Sequence, residues 1–283
     1  QVGQSVLLWN TEAYNDLLDY NGDKTRGYKN IPILHSTNGY MLFFNSTYAA
    51  QADIGKTDKN HYTLDFNGDK FDFYMWTNTP LENVASYTNL TGRTIIPPKW
   101  ALSYLAGNGG QVWSPPGNEG QYVENVEEVM EKYAELGTPI QGLGGEGDPM
   151  EDAECYSILK KYGTRMLGWY WSAMGISDMT NRTPTLISTP TKDMPIVWKK
   201  SSADRGSFIK GQDEMPGEYI DFTNPLAGTA LSGKFRKLWE WGLAGCMVDM
   251  GDQVTLDSIF YNGMTGEEMH NFYAYWYNKV YYE

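Results

Sequence analysis

Residues 245–254 read GCMVDMGDQV. An apolar run leads up to Asp249, and Gly251 and a second acid, Asp252, follow at once. With the two residues before it, the run LAGCMVDM (243–250) predicts a buried strand carrying a carboxylate at its tip. A lone charge inside a core is costly. The stretch makes sense where strand ends, not strand middles, form a site.

Working outward, the same rhythm repeats. Asn224-Pro225 opens a helix holding Leu231, Phe235, Leu238 and Trp239. TRMLGWYW (164–171) reads as a strand. Asp148-Pro149-Met150-Glu151 predicts a helix running to Gly163, with Asp148 as N-cap and Glu151 closing a capping box. TPIQGL (138–143) reads as another strand. VENVEEVMEKYAELG (123–137) has apolar residues at helical spacing and Gly137 as a stop. WALSYLAG (100–107) reads as the first strand of the series. Thr265 and Glu268 form a capping box before MHNFYAYWYNKVYYE (269–283). Strands alternating with helices imply a parallel sheet, as a barrel or a doubly wound sheet.

Before this series the pattern differs. SVLLW (5–9), NIPILHS (30–36), GYMLFFNST (39–47), HYTLDF (61–66) and DKFDFYMW (69–76) are short β-like runs, with Asn-Gly turn signals at 21, 38 and 67. They predict antiparallel sheet, part of a sandwich. Pro97-Pro98 cannot both sit in a central strand, so a boundary is placed there. The expected domains are 1–95, a β-sandwich portion, and 96–283, the α/β part.

Composition narrows the function. The net charge is −13 with no basic stripe, which excludes a nucleic-acid partner. No apolar run is long enough to span a membrane. No glycine-rich phosphate loop opens a helix. His35, His61 and His270 stand outside ligand spacing with the acids, so no metal or cofactor is expected, and a metal-dependent isomerase or lyase is the weakest rival. Cys155 and Cys246 lie in buried-looking segments and read as two buried thiols. The compartment stays open. The chain starts at a Gln without Met, which reads as a cut or trimmed end.

In parallel α/β folds ligands sit at strand carboxyl ends. Asp249 ends the fourth strand, Glu146 and Asp148 follow the second, and Trp169 and Trp171 end the third. Asp148 also reads as a helix cap, Glu146 as a solvated loop acid, and Asp252 as a turn or supporting residue. Acids and flat aromatic rings together suit a carbohydrate, and glycoside hydrolysis needs paired carboxylates.

The chain resembles glycoside hydrolase family 31, the retaining α-glucosidase and α-xylosidase family. The resemblance rests on LLWNTEAY (7–14), IPILHSTNGYMLFFNSTYAAQADIG (31–55), YTNLTGRTIIPPKWALSYL (87–105), DFTNPLAG (221–228), GCMVDMGD (245–252) and EEMHNFYAYWYNKVYYE (267–283). It implies a galactose-mutarotase-like β-sandwich portion followed by the first half of a (β/α)8 TIM barrel. It implies Asp249 as nucleophile, a Trp9–Glu12 loop with Glu12 toward the substrate, and ring-hydroxyl contacts from residues after the second strand. Two departures stand out. GLGGEGDPMED (142–152) is short and lacks Trp, and Asp252 stands where many members have Glu. The expected activity is retaining α-glycoside hydrolysis of a carbohydrate substrate, with the acid/base and the missing barrel half supplied by the rest of the polypeptide. The alternative is a non-catalytic carbohydrate-binding or regulatory relative.

Overall fold

The structure, a computed structural model, describes residues 2–10, 29–107, 122–145, 148–171, 198–199, 220–249, 251–252, 254, 256 and 258–283. In chain order the strands are β1 (Gln4–Leu8), β2 (Ile33–Ser36), β3 (Tyr40–Phe44), β4 (Ala50–Ile54), β5 (Tyr62–Phe66), β6 (Phe73–Trp76), β7 (Leu105–Gly107), β8 (Gly142–Gly145), β9 (Arg165–Trp171), β10 (Trp198–Lys199), β11 (Leu243–Asp249) and β12 (Ser258–Ile259). The helices are α1 (Pro80–Thr91), α2 (Tyr122–Glu135), α3 (Ala153–Lys161), α4 (Pro225–Trp241), α5 (Gly266–Met269) and α6 (Tyr273–Tyr282). The chain divides into two compact units. One comprises Gln1–Thr94, Arg182–Asn224 and Met250–Glu283, the other Ile95–Asn181 and Pro225–Asp249.

The first unit holds two three-stranded antiparallel sheets, ordered β1-β4-β5 and β2-β3-β6. Asn38-Gly39 makes the expected hairpin turn between β2 and β3, with Gly39 at φ 84, a conformation that costs glycine nothing. Asn67-Gly68 closes no hairpin, because β5 and β6 belong to different sheets. The signal at Asn21 lies outside the described residues. An all-β reading of this region missed α1. Its signal was present: Thr79 caps the helix, Pro80 takes the first turn, and Glu82 accepts from the Thr79 N–H at 3.0 Å. Phe222, Tyr273 and Tyr277 pack together, Phe222 stacking on Tyr277 at 4.6 Å between ring centres.

The second unit is a four-stranded parallel sheet, ordered β11-β9-β8-β7, with α2, α3 and α4 as the crossovers. The alternation read in the sequence is therefore present as a parallel sheet, and the chain is α/β plus β. Gly137, at φ 63, stops α2 as expected. Val126 and Met130 of α2, Cys155, Ile158 and Leu159 of α3, and Leu231, Phe235 and Leu238 of α4 are buried. α3 packs on β9, α4 on β11 and α2 against α3, each through one apolar stripe.

Three local expectations are corrected. WALSYLAG is strand only from Leu105, since Lys99–Leu102 form a 3-10 turn entered from Pro98. TPIQGL enters the sheet only at Gly142. Asp148–Glu151 form a separate 3-10 turn, and Asp152 is the true cap of α3, accepting from the Glu154 N–H at 2.7 Å. The extended backbone of Asp152, φ −110 and ψ 119, breaks the helix that DPME was expected to start. A fourth correction concerns burial. β11 pairs with β9 alone among the described strands, so Cys246 and Met247 are exposed, whereas Cys155 is buried; both cysteines are free.

Alternation along the sheet sorts its two faces. Tyr170 of β9 points at the helices, meeting Phe235 of α4 edge-on at 4.8 Å. Leu167 points the other way. A Cβ placed on Gly142 would lie 2.8 Å from Leu167 Cδ1 and 3.0 Å from Leu105 Cδ2. The leucines of the first and third strands therefore fill the space over a glycine of the second, the alternate-strand layering of a barrel interior. Gly142→Val is expected to destabilise the protein by about 1–3 kcal/mol through overpacking. Urea midpoints measure this, and an unshifted midpoint would show that the layer is slack.

Candidate active site

The site is built on the carboxyl ends of β9 and β11. Asp249 is the last residue of β11 and pairs in register with Trp171, the last residue of β9. Trp169 lies two residues back on β9, on the face of Leu167 and opposite Tyr170. Its indole Nε1 donates to Asp249 Oδ2 at 3.0 Å. That bond orients a half-buried carboxylate on a rigid strand end, facing away from the covering helices. On the same face, at the other end of β9, the Arg165 guanidinium lies 4.9 Å from the Trp100 ring. One face of β9 thus carries a cation–π pair at its start, apolar packing at its middle and the Trp169–Asp249 pair at its end.

The other expected residues fall as follows. Asp252 is buried in the segment after Asp249, with 6% of its surface exposed. Trp171 ends β9 and Asp148 begins the 3-10 turn after β8; the side chains of both lie outside the described residues, as do Glu146 and Glu12 altogether. The structure therefore brings Asp249 and Trp169 together. Among the described residues no group of three or more His, Cys, Asp or Glu side chains is gathered as for a metal. No helix among them is long and apolar enough to cross a membrane.

Asp221 and His270, both buried, were given no role of their own in the sequence reading. Asp221, in DFTNPLAG, accepts from the Thr223 N–H at 2.9 Å, the Thr223 hydroxyl at 2.6 Å and the Tyr261 N–H at 2.6 Å. Burial pushes its pKa up, and these donors pull it down. It fastens the turn before α4 to the Tyr261 loop. His270 is fully buried, stacked on Trp9 at 3.6 Å between ring centres. Only tertiary structure could reveal its contacts, because its partner Asn10 is 260 residues away in sequence.

His270 gives a pH prediction. Burial lowers its pKa from 6.5 to about 4, against the pull of two carbonyl oxygens. The unfolded chain therefore takes up the proton first. Stability is complete above about 6.5 and is lost as pH falls toward 4, by about 3 kcal/mol in all. Urea midpoints at pH 7 and pH 4.5 measure the slope, and a folded His270→Gln variant should lack this part of it. An equal slope in that variant would assign the acid sensitivity elsewhere.

In parallel α/β folds of this kind ligands bind at the strand carboxyl ends, which is where Asp249 stands. Residues 94–283 match the TIM-barrel domain of glycosyl hydrolases family 31, and the chain belongs to that family. It is 23% identical to the α-xylosidase XylQ of Lactiplantibacillus pentosus, covering 99% of this chain and 36% of that protein. It is also 23% identical to an α-xylosidase of Emericella nidulans, covering 99% of this chain and 35% of that protein. The chain thus spans about a third of the length of these relatives. Among solved structures, a cycloalternan-degrading enzyme from Trueperella pyogenes in complex with isomaltose superposes with a TM-score of 0.75 at 16% identity, covering 99% of this chain and 44% of that one. A cycloalternan-forming enzyme from Listeria monocytogenes superposes with a TM-score of 0.73 at 19% identity, covering 99% and 29%. At such identities these two likenesses speak for the fold.

Proposed function

We propose that the protein containing this chain is a retaining α-glycosidase with Asp249 as its nucleophile. The observation that carries this reading is the Asp249 carboxylate at the tip of β11, held by Trp169 Nε1 at 3.0 Å. A retaining enzyme needs a carboxylate whose oxygen is aimed and fixed, because attack on the anomeric carbon tolerates little misplacement. In the first step an Asp249 oxygen bonds to the anomeric carbon, the glycosidic C–O bond breaks, and an acid gives its proton to the leaving oxygen. In the second, water displaces Asp249 and gives a proton back to that same acid.

The acid belongs about 5 Å from the nucleophile. We assign it to a later barrel strand of the same polypeptide. Trp169, Trp171 and Asp252, with Glu146, Asp148 and Glu12, are assigned to the substrate pocket. Residues 1–95 are read as part of a galactose-mutarotase-like β-sandwich and 96–283 as the first half of the catalytic barrel. The named relatives are α-xylosidases, so α-xylosides come first among trial substrates, followed by α-glucosides.

The test uses the full-length protein and a 5-fluoro-α-xylosyl fluoride or a cyclitol epoxide. Mass spectrometry of the digest should find one adduct, on Asp249. Sugar binding without an adduct would favour the non-catalytic alternative. An adduct on another carboxylate would remove Asp249 from the role.

A further inference from the structure

The exit of β1 is held by residues from the far end of the chain. The Asn10 N–H donates to Asn271 Oδ1 at 2.9 Å, and Asn271 Nδ2 donates to the Leu8 carbonyl at 3.2 Å. The Asn10 carbonyl lies 2.6 Å from His270 Nε2, and the Val254 carbonyl lies 2.6 Å from Nδ1 of the same ring. A neutral imidazole donates to one of these carbonyls at a time; a charged one donates to both. The Asn10 side chain adds a third tie. Its Oδ1 accepts from the Asn30 N–H at 2.7 Å and from Asn30 Nδ2 at 3.3 Å. Asn10 and Asn30 are therefore joined to each other, and Asn10 to the His270-Asn271 pair.

The placement of these contacts is informative. Among the described strands β1 pairs only with β4, at the edge of its sheet. Covering that edge would take a run of backbone pairing along its length. Instead the polar contacts gather at Leu8 and Asn10, where the chain leaves the strand. Those of His270 are also shielded from water, since Trp9, Asn10 and His270 are 1%, 8% and 0% exposed. The other end of the clamp, Val254, lies in the segment that follows Asp249. In parallel α/β enzymes the segments after strand carboxyl ends face the ligand, and their precision depends on the groups that brace them.

We propose that His270 and Asn271 are positioning residues, which brace the segment after the Asp249 strand against the exit of β1 and so set substrate affinity and not the chemical step. This rests on the glycosidase reading above. Neither side chain is assigned contact with substrate; both act through the main chain of Leu8, Asn10 and Val254.

The test uses full-length protein with 4-nitrophenyl α-D-xylopyranoside and α-D-glucopyranoside. Asn271→Ala and Asn30→Ala are compared with wild type, each shown to be folded at the assay temperature by its melting curve. KM is expected to rise about 10-fold in Asn271→Ala and less in Asn30→Ala, with kcat within about 3-fold of wild type. A merely structural role would instead lower the melting temperature and leave both constants of the folded fraction unchanged, which would overturn the proposal. So would a fall in kcat at constant KM. Should the alanine at 271 not fold, Asn30→Ala decides alone, at the other end of the same set of bonds. Wild-type protein that turns over neither glycoside sinks the glycosidase reading and this role with it. Normal turnover with unmoved KM in the variants sinks this role alone.

Discussion

Asp249→Asn in the full-length protein is expected to lower kcat by about 10³-fold or more, with the melting temperature nearly unchanged. The replacement is close to isosteric. Its amide oxygen can still accept the Trp169 Nε1 hydrogen bond seen at 3.0 Å, so the strand end keeps its geometry. What disappears is the charge and the nucleophilicity of the carboxylate. A companion variant separates chemistry from binding. Asp249→Gly opens a space beside the anomeric carbon, and azide added to that variant should restore turnover of an activated aryl α-glycoside. The product would be a glycosyl azide of inverted, β configuration, because azide takes the position of the missing oxygen. Near-normal turnover in Asp249→Asn would remove the nucleophile assignment. An α-configured azide would remove the stereochemical argument.

Asp249 could be singled out from sequence because its signal is local: an apolar run, an acid, then glycine. The helices after it and before it were legible for the same reason. The Thr265–Glu268 capping box is present as expected, with Glu268 Oε2 accepting from the Thr265 N–H at 2.8 Å. Pro225 is the first residue of α4, directly after Asn224, as expected. Where two local signals competed, the reading went astray. Asp148 and Asp152 both suit a helix start, and only backbone geometry shows that Asp152 takes it. α1 was lost because its Thr-Pro-x-Glu start lies among β-like runs, and the surroundings outweighed it. Burial was misjudged at Cys246 because composition cannot tell an edge strand from a central one. The Trp169–Asp249 bond depends on the register of β9 against β11, and the His270 clamp on contacts across nearly the whole chain. Neither leaves a trace in periodicity.

The second large effect concerns these 283 residues made alone. Among the described residues β7 pairs only with β8 and β11 only with β9, so the parallel sheet has two open edges. Apolar side chains stand at both. Ile96, Leu102 and Tyr104, just before β7, are 92%, 72% and 57% exposed, and Met247 of β11 is 56% exposed. Parallel sheets are ordinarily covered on both faces, and open edges with apolar flanks recruit other chains. A closed (β/α)8 barrel has eight strands and about 250 residues, twice the strands seen here. The isolated chain is therefore expected to aggregate, or to form oligomers through those edges, and to hydrolyse neither α-xyloside nor α-glucoside although Asp249 is present. Light scattering and the nitrophenyl assay measure the two halves of this expectation. On the reading proposed above, further barrel strands supplied as a second chain should restore solubility and activity together, since they would close the sheet and bring the acid. A soluble monomer of these residues that cleaves an α-glycoside would defeat the expectation. The proton donor would then have to stand within the chain, and replacing Glu146 and Asp148 one at a time by their amides would be the way to find it.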